Sequence, residues 1–405
     1  MTSKIFLVTT LQTELGHTTR KKQNGEIAML LDSTLREGAQ MYGVYFTDTM
    51  RREILAGLIR CGVEEVEIGW AGQDGLQGLL QHARRIDPEG RCALTVWSPL
   101  RRLDLEALAA IGVLRLQFGV PVSDAHLENR LGLDRKGLLR RLRTILQQAM
   151  DLKIPFIGVG LEDVSRADTD FALQVTREVE QSGGQRIRLS DTVGLLTPLE
   201  TARLVQRFVG QTNLPVGFHG HNDFGMGTAN AVTALSSGAQ SVDVSVLGIG
   251  ERSGIAALEE VAAHLNIRQG ARYNLSECVS LARMVAGAAG VPVARNKALV
   301  GDDIFACETG LHLQGIAKVP ALFEAFAPEQ VAGTRKLSLG GKSGKAAVHL
   351  AADRQGISLS GQRLEILTRR VRELAQSLAR PLRDEEFQVL ADTTAKRYAV
   401  HLDRK

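Results

Sequence analysis

Through the first two-thirds of this chain, short apolar runs alternate with amphipathic stretches. The runs are Ala28 to Asp32, Glu64 to Gly69, Cys92 to Trp97, Leu114 to Val120, Pro155 to Gly160, Arg186 to Ser190, Pro215 to His219 and Ser241 to Leu247. Helical periodicity fills most of the gaps, for example over Thr47 to Arg60 and Leu139 to Leu152. A strand reached through a helical crossover pairs in parallel, so the alternation specifies a parallel sheet. Eight such units within about 220 residues fit a closed barrel better than an open sheet. No Gly-x-Gly-x-x-Gly follows the first run, which argues against a dinucleotide-binding sheet. The sequence therefore predicts an α/β chain: a (β/α)8 TIM barrel over residues 28–268, an N-terminal extension over 1–27, and a smaller, mostly helical C-terminal region over 269–405.

In that last region the alternation stops. Arg283 to Leu350 is glycine-rich and irregular, whereas Leu364, Leu367, Val371, Leu374 and Leu378 restore a helical stripe. Gly341-Lys342-Ser343-Gly344 lacks the spacing and the strand–loop–helix setting of a phosphate loop. In the extension, Ile5 to Val8 reads as an extra strand or a mobile arm, since no small-residue cleavage site follows it. No apolar stretch approaches the ~20 residues of a membrane span. Cys61, Cys92, Cys278 and Cys307 stand far apart with no Cys-x-x-Cys spacing, which fits a reduced, cytoplasmic chain. With 49 basic and 45 acidic residues the net charge is +4, too small an excess to imply nucleic acid.

Barrels place their chemistry at the C-terminal ends of the strands. Polar residues collect there: Arg36 and Glu37, Glu67, Glu162 and Asp163, Asp191 and Thr192, His219 and His221, Glu251 and Arg252. His219 and His221 stand two apart, so an extended backbone projects both imidazoles from one face. Two imidazoles at a strand end make half of a metal site. A carboxylate from elsewhere would complete it, and the first run ends in Asp32-Ser33-Thr34-Leu35-Arg36-Glu37-Gly38-Ala39-Gln40.

Asp32 to Gly38 resembles the opening motif of the acyl-CoA-condensing barrel metalloenzymes. These are the homocitrate, isopropylmalate and citramalate synthases, with hydroxymethylglutaryl-CoA lyase as a distant relative. The likeness continues in order through Leu161 to Asp168, Ser190 to Gly194, Phe218 to Glu260, Glu308 to His312 and Gly341 to Gly344. Pro121-Val122-Ser123-Asp124 and Glu162-Asp163-Val164-Ser165-Arg166-Ala167-Asp168 are most similar to homocitrate synthases of the nitrogen-fixation type. The resemblance implies a Claisen-type condensation of acetyl-CoA, as co-substrate, with a 2-oxo acid, and release of CoA. It implies a divalent metal ion (Mg, Mn or Zn) held by Glu37, His219 and His221. It matches Arg36 to the group facing the oxo-acid carbonyl, with Gln40 and Thr192 also binding substrate. Glu162 and His312 take acid/base roles, and a homodimer is implied.

Plainer roles stand beside these. Arg36 and Glu37 could form a surface salt bridge, Thr192 could cap a turn, and Glu162 could pair with Arg166. Glu67 could orient Arg36 or belong to an ordinary rim bridge. Asn222 and Asp223 could support the histidines or cap a helix. Glu251 and Arg252 read as a loop-locking pair. Three positions depart from the family pattern. Cys307 stands where a histidine is usual, and Ala39 stands where the Gly-Glu-Gln motif has its glutamate. Trp97-Ser98-Pro99 replaces a Trp-Cys-Arg expected to meet the distal carboxylate of 2-oxoglutarate, leaving Arg101 or Arg102 as substitutes. An apolar oxo acid such as 2-oxoisovalerate or pyruvate, a lyase reaction, and a non-catalytic oxo-acid-binding paralogue remain the alternatives.

Overall fold

The computed structural model describes residues 29–309, 312, 315–316, 318–359 and 361–402, so the N-terminal extension with Ile5 to Val8 lies outside the described residues. Eight parallel strands close a barrel in sequence order: β1 (Met29–Asp32), β2 (Glu65–Trp70), β3 (Ala93–Pro99), β4 (Arg115–Pro121), β5 (Phe156–Glu162), β6 (Arg186–Asp191), β7 (Val216–Gly220) and β8 (Ser241–Val244). Closure is made by β1 on β8, with Met29 opposite Ser241 and Asp32 opposite Val244. The expected TIM barrel is therefore present. The eighth strand ends at Val244 rather than Leu247 because Leu247 takes φ +59 within a tight turn, which breaks the extended backbone.

Helices start where a side chain can satisfy the first free N–H groups. Thr47 caps Asp48–Cys61, Asp134 caps Arg135–Asp151, and Thr197 with Glu200 forms a capping box on Pro198–Val209. Asp134 explains why that helix begins before Leu139. Outward strand residues such as Val66, Ile68, Phe118, Leu161, Leu189 and Phe218 join the helices in one apolar cluster. The helix Leu275–Ala289 belongs to this cluster too, packed on Asp48–Cys61.

Inward positions carry charge instead of the branched apolar filling common in such barrels. In the lower tier, Glu65 accepts two bonds from Arg186, both 2.8 Å, one from Arg115 at 3.0 Å and one from Thr95. Above it, Arg188 lies 2.7 Å from Glu67 and 2.8 Å from Asp243. After the barrel, β9 (Ala306–Cys307) pairs with β10 (Lys336–Leu337). The helices Lys345–Arg354, Gly361–Leu378 and Asp384–Leu402 follow, around a second cluster that includes Val348, Leu367, Val371 and Phe387. Leu367 and Val371 of the expected stripe are fully buried, and Leu364 and Leu374 partly so.

Candidate metal centre at the barrel mouth

β7 carries His219, and His221 follows after Gly220. Both imidazoles are buried, as is Glu37 just beyond β1. One potential ligand atom from each of the three lies within 4.8 Å of the others. The two Nε2 atoms are 3.4 Å apart, and they lie 4.0 and 3.9 Å from the Glu37 oxygens. Ligands bound ~2.1 Å from one ion can stand no more than ~4.2 Å apart, so all three separations suit a single ion.

The protonation pattern suits it as well. Asp243 on β8 places a carboxylate oxygen 2.8 Å from His219 Nδ1, which sets that nitrogen as the donor and turns Nε2 toward His221 and Glu37. Burial is the main cause drawing His221 down to about 4; His219, Arg252 and Arg36 add to this and Glu37 opposes it. His221 is thus neutral at pH 7. Burial pushes Glu37 up, but Arg36, the imidazoles and the Glu251 N–H outweigh it and hold the carboxyl below its usual range. Two guanidinium charges, Arg36 and Arg188, face three carboxylates, Glu37, Glu67 and Asp243, for a net −1. The donor set fits a divalent cation.

Arg36 is buried at this centre and is not a surface residue. Its Nε donates to Glu67 at 2.7 Å, its Nη1 to Glu37 at 2.5 Å, and its guanidinium lies 5.8 Å from the Trp97 ring centre. Glu67 also accepts from Ser33 and Arg188, both at 2.7 Å, so it fixes the direction of Arg36. The loop after β8 folds back over Glu37, with the Glu251 N–H 3.0 Å from its Oε1. Gly254 makes that fold possible. It takes φ +72, and a Cβ there would stand 1.8 Å from the Gly248 carbonyl oxygen.

Register places the other expected residues. His219 lies opposite Ser190, and Ser190 opposite Glu162, so one row of three strands aims these side chains at the mouth. Glu162 lies across Gly119, where a Cβ would meet its Oε1 at 2.1 Å and the Trp97 ring at 2.7 Å. Its partner is Arg130, at 2.7 Å, and not Arg166, which chelates Asp163 through 2.8 and 2.9 Å contacts. Thr192 Oγ1 accepts the Asp163 N–H at 2.8 Å and keeps its own proton for another acceptor. Arg252 pairs with Asp223 and the Thr192 carbonyl, not with Glu251. Asn222 accepts the Gly227 N–H at 2.7 Å from five residues back, while Met226 holds the N-cap position of the helix Gly227–Ser236 without a side-chain cap. Gln40 is exposed in a short 3-10 turn with no side-chain bond among the described residues. His312 is exposed, its ring 4.3 Å from that of Phe323. Cys307 is half-buried beside Thr309. Among the described residues, no contact links His312 or Cys307 to the three-residue centre.

Residues 28–285 match the family model HMGL-like, and residues 299–378 match one described as homocitrate synthase post-HMGL domain-like. The chain belongs to the HMGL-like family. It is 37% identical to a homocitrate synthase of Frankia alni, over 80% of this chain and 93% of that protein. It is 32% identical to a 2-isopropylmalate synthase of Caldanaerobacter subterraneus subsp. tengcongensis, over 89% of this chain and 94% of that protein. Among solved structures, an HMG-CoA lyase of Bacillus subtilis superposes with a TM-score of 0.59 at 20% identity, covering 67% of this chain and 97% of that one. That last likeness speaks for the barrel fold alone.

Proposed function

We propose that this chain condenses acetyl-CoA with a 2-oxo acid and releases CoA, working as the synthases it resembles do. The observation that carries the reading is the Glu37, His219 and His221 cluster, with Asp243 behind His219 and Arg36 beside Glu37. A divalent ion held by those three side chains would supply Lewis-acid polarisation of the oxo group. Arg36, aimed by Glu67, stabilises the alkoxide oxygen that forms as the new carbon–carbon bond closes. Thr192 offers its hydroxyl proton to the carboxylate next to the oxo group. Glu162, in the same register row as His219, moves the proton of the acetyl group. Gln40, at the exposed rim, lines the substrate entrance.

The assembly we propose is a homodimer in the cytoplasm. Tyr42 and Tyr45 after β1, Leu195 and Leu199 after β6 and Phe224 after β7 are exposed apolar residues following strands that supply the mouth. His312 is exposed and, among the described residues, in no contact with the centre of its own chain; a second copy would deliver it to its catalytic role. Among the described residues no helix is long and apolar enough to cross a membrane, and the four cysteines are free. Thiol release from acetyl-CoA, followed over a panel of 2-oxo acids with and without added metal, tests the activity. Metal-dependent release with at least one acid is expected. Cleavage of a hydroxyacyl-CoA without net condensation, or no turnover with any acid, overturns the reading.

A further inference from the structure

The arginines of the barrel mouth differ in how fully they are engaged. Arg36 is held by Glu67 and Glu37, Arg188 by Glu67 and Asp243, Arg252 by Asp223 and the Thr192 carbonyl, and Arg166 by Asp163 through two contacts. Arg130 is held by one contact, Nη1 to Glu162 Oε2 at 2.7 Å. Its Nε and Nη2 have no protein partner among the described residues, and that edge of the guanidinium is the fork that takes a carboxylate through two parallel bonds. The side chain is 44% exposed, so the fork is open to a ligand.

The backbone beneath it is pinned. Ser123 donates to Asp163 at 2.6 Å, Arg135 clamps Asp124 through two 2.7 Å bonds and reaches Asp168 at 2.9 Å, and Gly132 closes the turn at φ +61. Arg130 therefore projects from a fixed backbone, and it touches the residue two strands from His219 in the same row. That spacing, about 10 Å between the outer backbones, is spanned by a small acid with one end at the metal centre. The phosphates of CoA lie beyond the pantetheine arm and are too far from the reacting end to meet it. Arg101 pairs with Asp104 and Arg102 starts the helix Leu103–Ala110, and among the described residues neither contacts Glu162 or the metal centre.

We propose that Arg130 is the specificity residue for the acid, binding the distal carboxylate of a dicarboxylic 2-oxo acid through Nε and Nη2 while Nη1 stays on Glu162. This rests on the condensation reading and narrows it to a dicarboxylate. The test uses the full chain loaded with Mn2+, titrated calorimetrically with 2-oxoglutarate and with 2-oxobutyrate, alongside steady-state CoA release. Arg130→Gln should weaken Kd for 2-oxoglutarate about 10- to 100-fold more than Kd for 2-oxobutyrate, the factor a charge-assisted hydrogen bond carries. Arg130→Lys, which keeps the charge without the fork, should fall between. Equal weakening for the two acids would mean that Arg130 acts only through Glu162, and would overturn the proposal. Unchanged 2-oxoglutarate affinity, or none in the unaltered chain, would overturn it as well. If 2-oxoglutarate binding depends on Arg130 but no acid releases CoA, the subsite stands and the condensation reading falls. If CoA release is normal but affinity does not depend on Arg130, the condensation reading stands and the subsite falls.

Discussion

Replacing Asp243 by asparagine keeps the shape of the barrel mouth and removes one charge. In the native chain Oδ2 accepts from His219 Nδ1 at 2.8 Å and lies 2.8 Å from the Arg188 guanidinium. An asparagine carbonyl can occupy that point and keep both contacts. Its amide then falls where Oδ1 sits, a buried position with no partner. The imidazole loses the carboxylate that raises the basicity of Nε2, and the charge around the centre goes from −1 to zero. Losses of this kind behind a metal-binding histidine run to about 10- to 100-fold in affinity, or about 1.4 to 2.8 kcal/mol. Competition for Zn2+ or Mn2+ against a chelator reads this directly, with thermal melting of the metal-free protein as the fold control. An affinity within about twofold of the native value would refute the claim that Asp243 sets the tautomer and direction of His219. A loss as complete as that of His219→Ala would mean that Asp243 is itself a ligand.

Four further outcomes are expected. His219→Ala should purify without stoichiometric metal, as elemental analysis will show; unchanged metal content would sink the ligand assignment. Gly119→Ala would put a Cβ 2.1 Å from Glu162 Oε1 and displace it, so kcat should drop by about 100-fold or more with metal content preserved; a normal kcat would remove Glu162 from the chemistry. Glu65→Gln removes the carboxylate that Arg186 and Arg115 bond inside the barrel, at a cost of about 3–5 kcal/mol, which calorimetry should register as a Tm lower by about 4–6 °C. Asp32→Asn should stabilise the protein at pH 8 more than at pH 5. Burial, with Glu259 and Asp243 adding, raises that carboxyl from 3.8 to about 7, so the folded state holds a proton the unfolded chain has released, and stability falls as pH rises from about 4 to 7. Asparagine keeps the bond from the Thr34 N–H and removes this slope; an equal gain in Tm at both pH values would refute it.

The barrel was legible because outward strand residues are apolar and each helix carries its own cap. The centre was legible where its residues sit at strand ends in recognisable spacing, as His219, His221, Arg36 and Glu37 do. Asp243 and Arg188 escaped because they lie inside strands, away from the ends where barrel chemistry collects. A signal existed: Ser241, Asp243 and Ser245 alternate with Val242 and Val244, and Arg186, Arg188 and Ser190 alternate with Ile187 and Leu189. Charge in the inward phase of a barrel strand calls for a buried partner on a neighbouring strand. Pairings of nearby residues misled instead. Arg166 takes Asp163 of its own loop, Glu162 is met instead by Arg130 from the segment after β4, and Arg252 crosses to Asp223 after β7; the last two pairings join loops of different strands, which meet only after the barrel closes.

The charged interior follows from what the centre needs. A barrel filled with branched apolar side chains would hold its strands apart just as well, and exchanging buried ion pairs for such packing is often neutral or stabilising. Apolar contacts, however, leave a long side chain free to choose among rotamers. Here each charged group at the centre is fixed from below: Glu67 points Arg36, Arg188 holds both Glu67 and Asp243, and Asp243 turns His219. Glu65 with Arg186 and Arg115 closes the tier beneath them without an unpaired carboxylate. The network therefore serves direction more than stability. A change such as Arg188→Met should then disturb metal affinity and turnover more than its effect on Tm would suggest, because it frees two carboxylates whose directions the centre depends on.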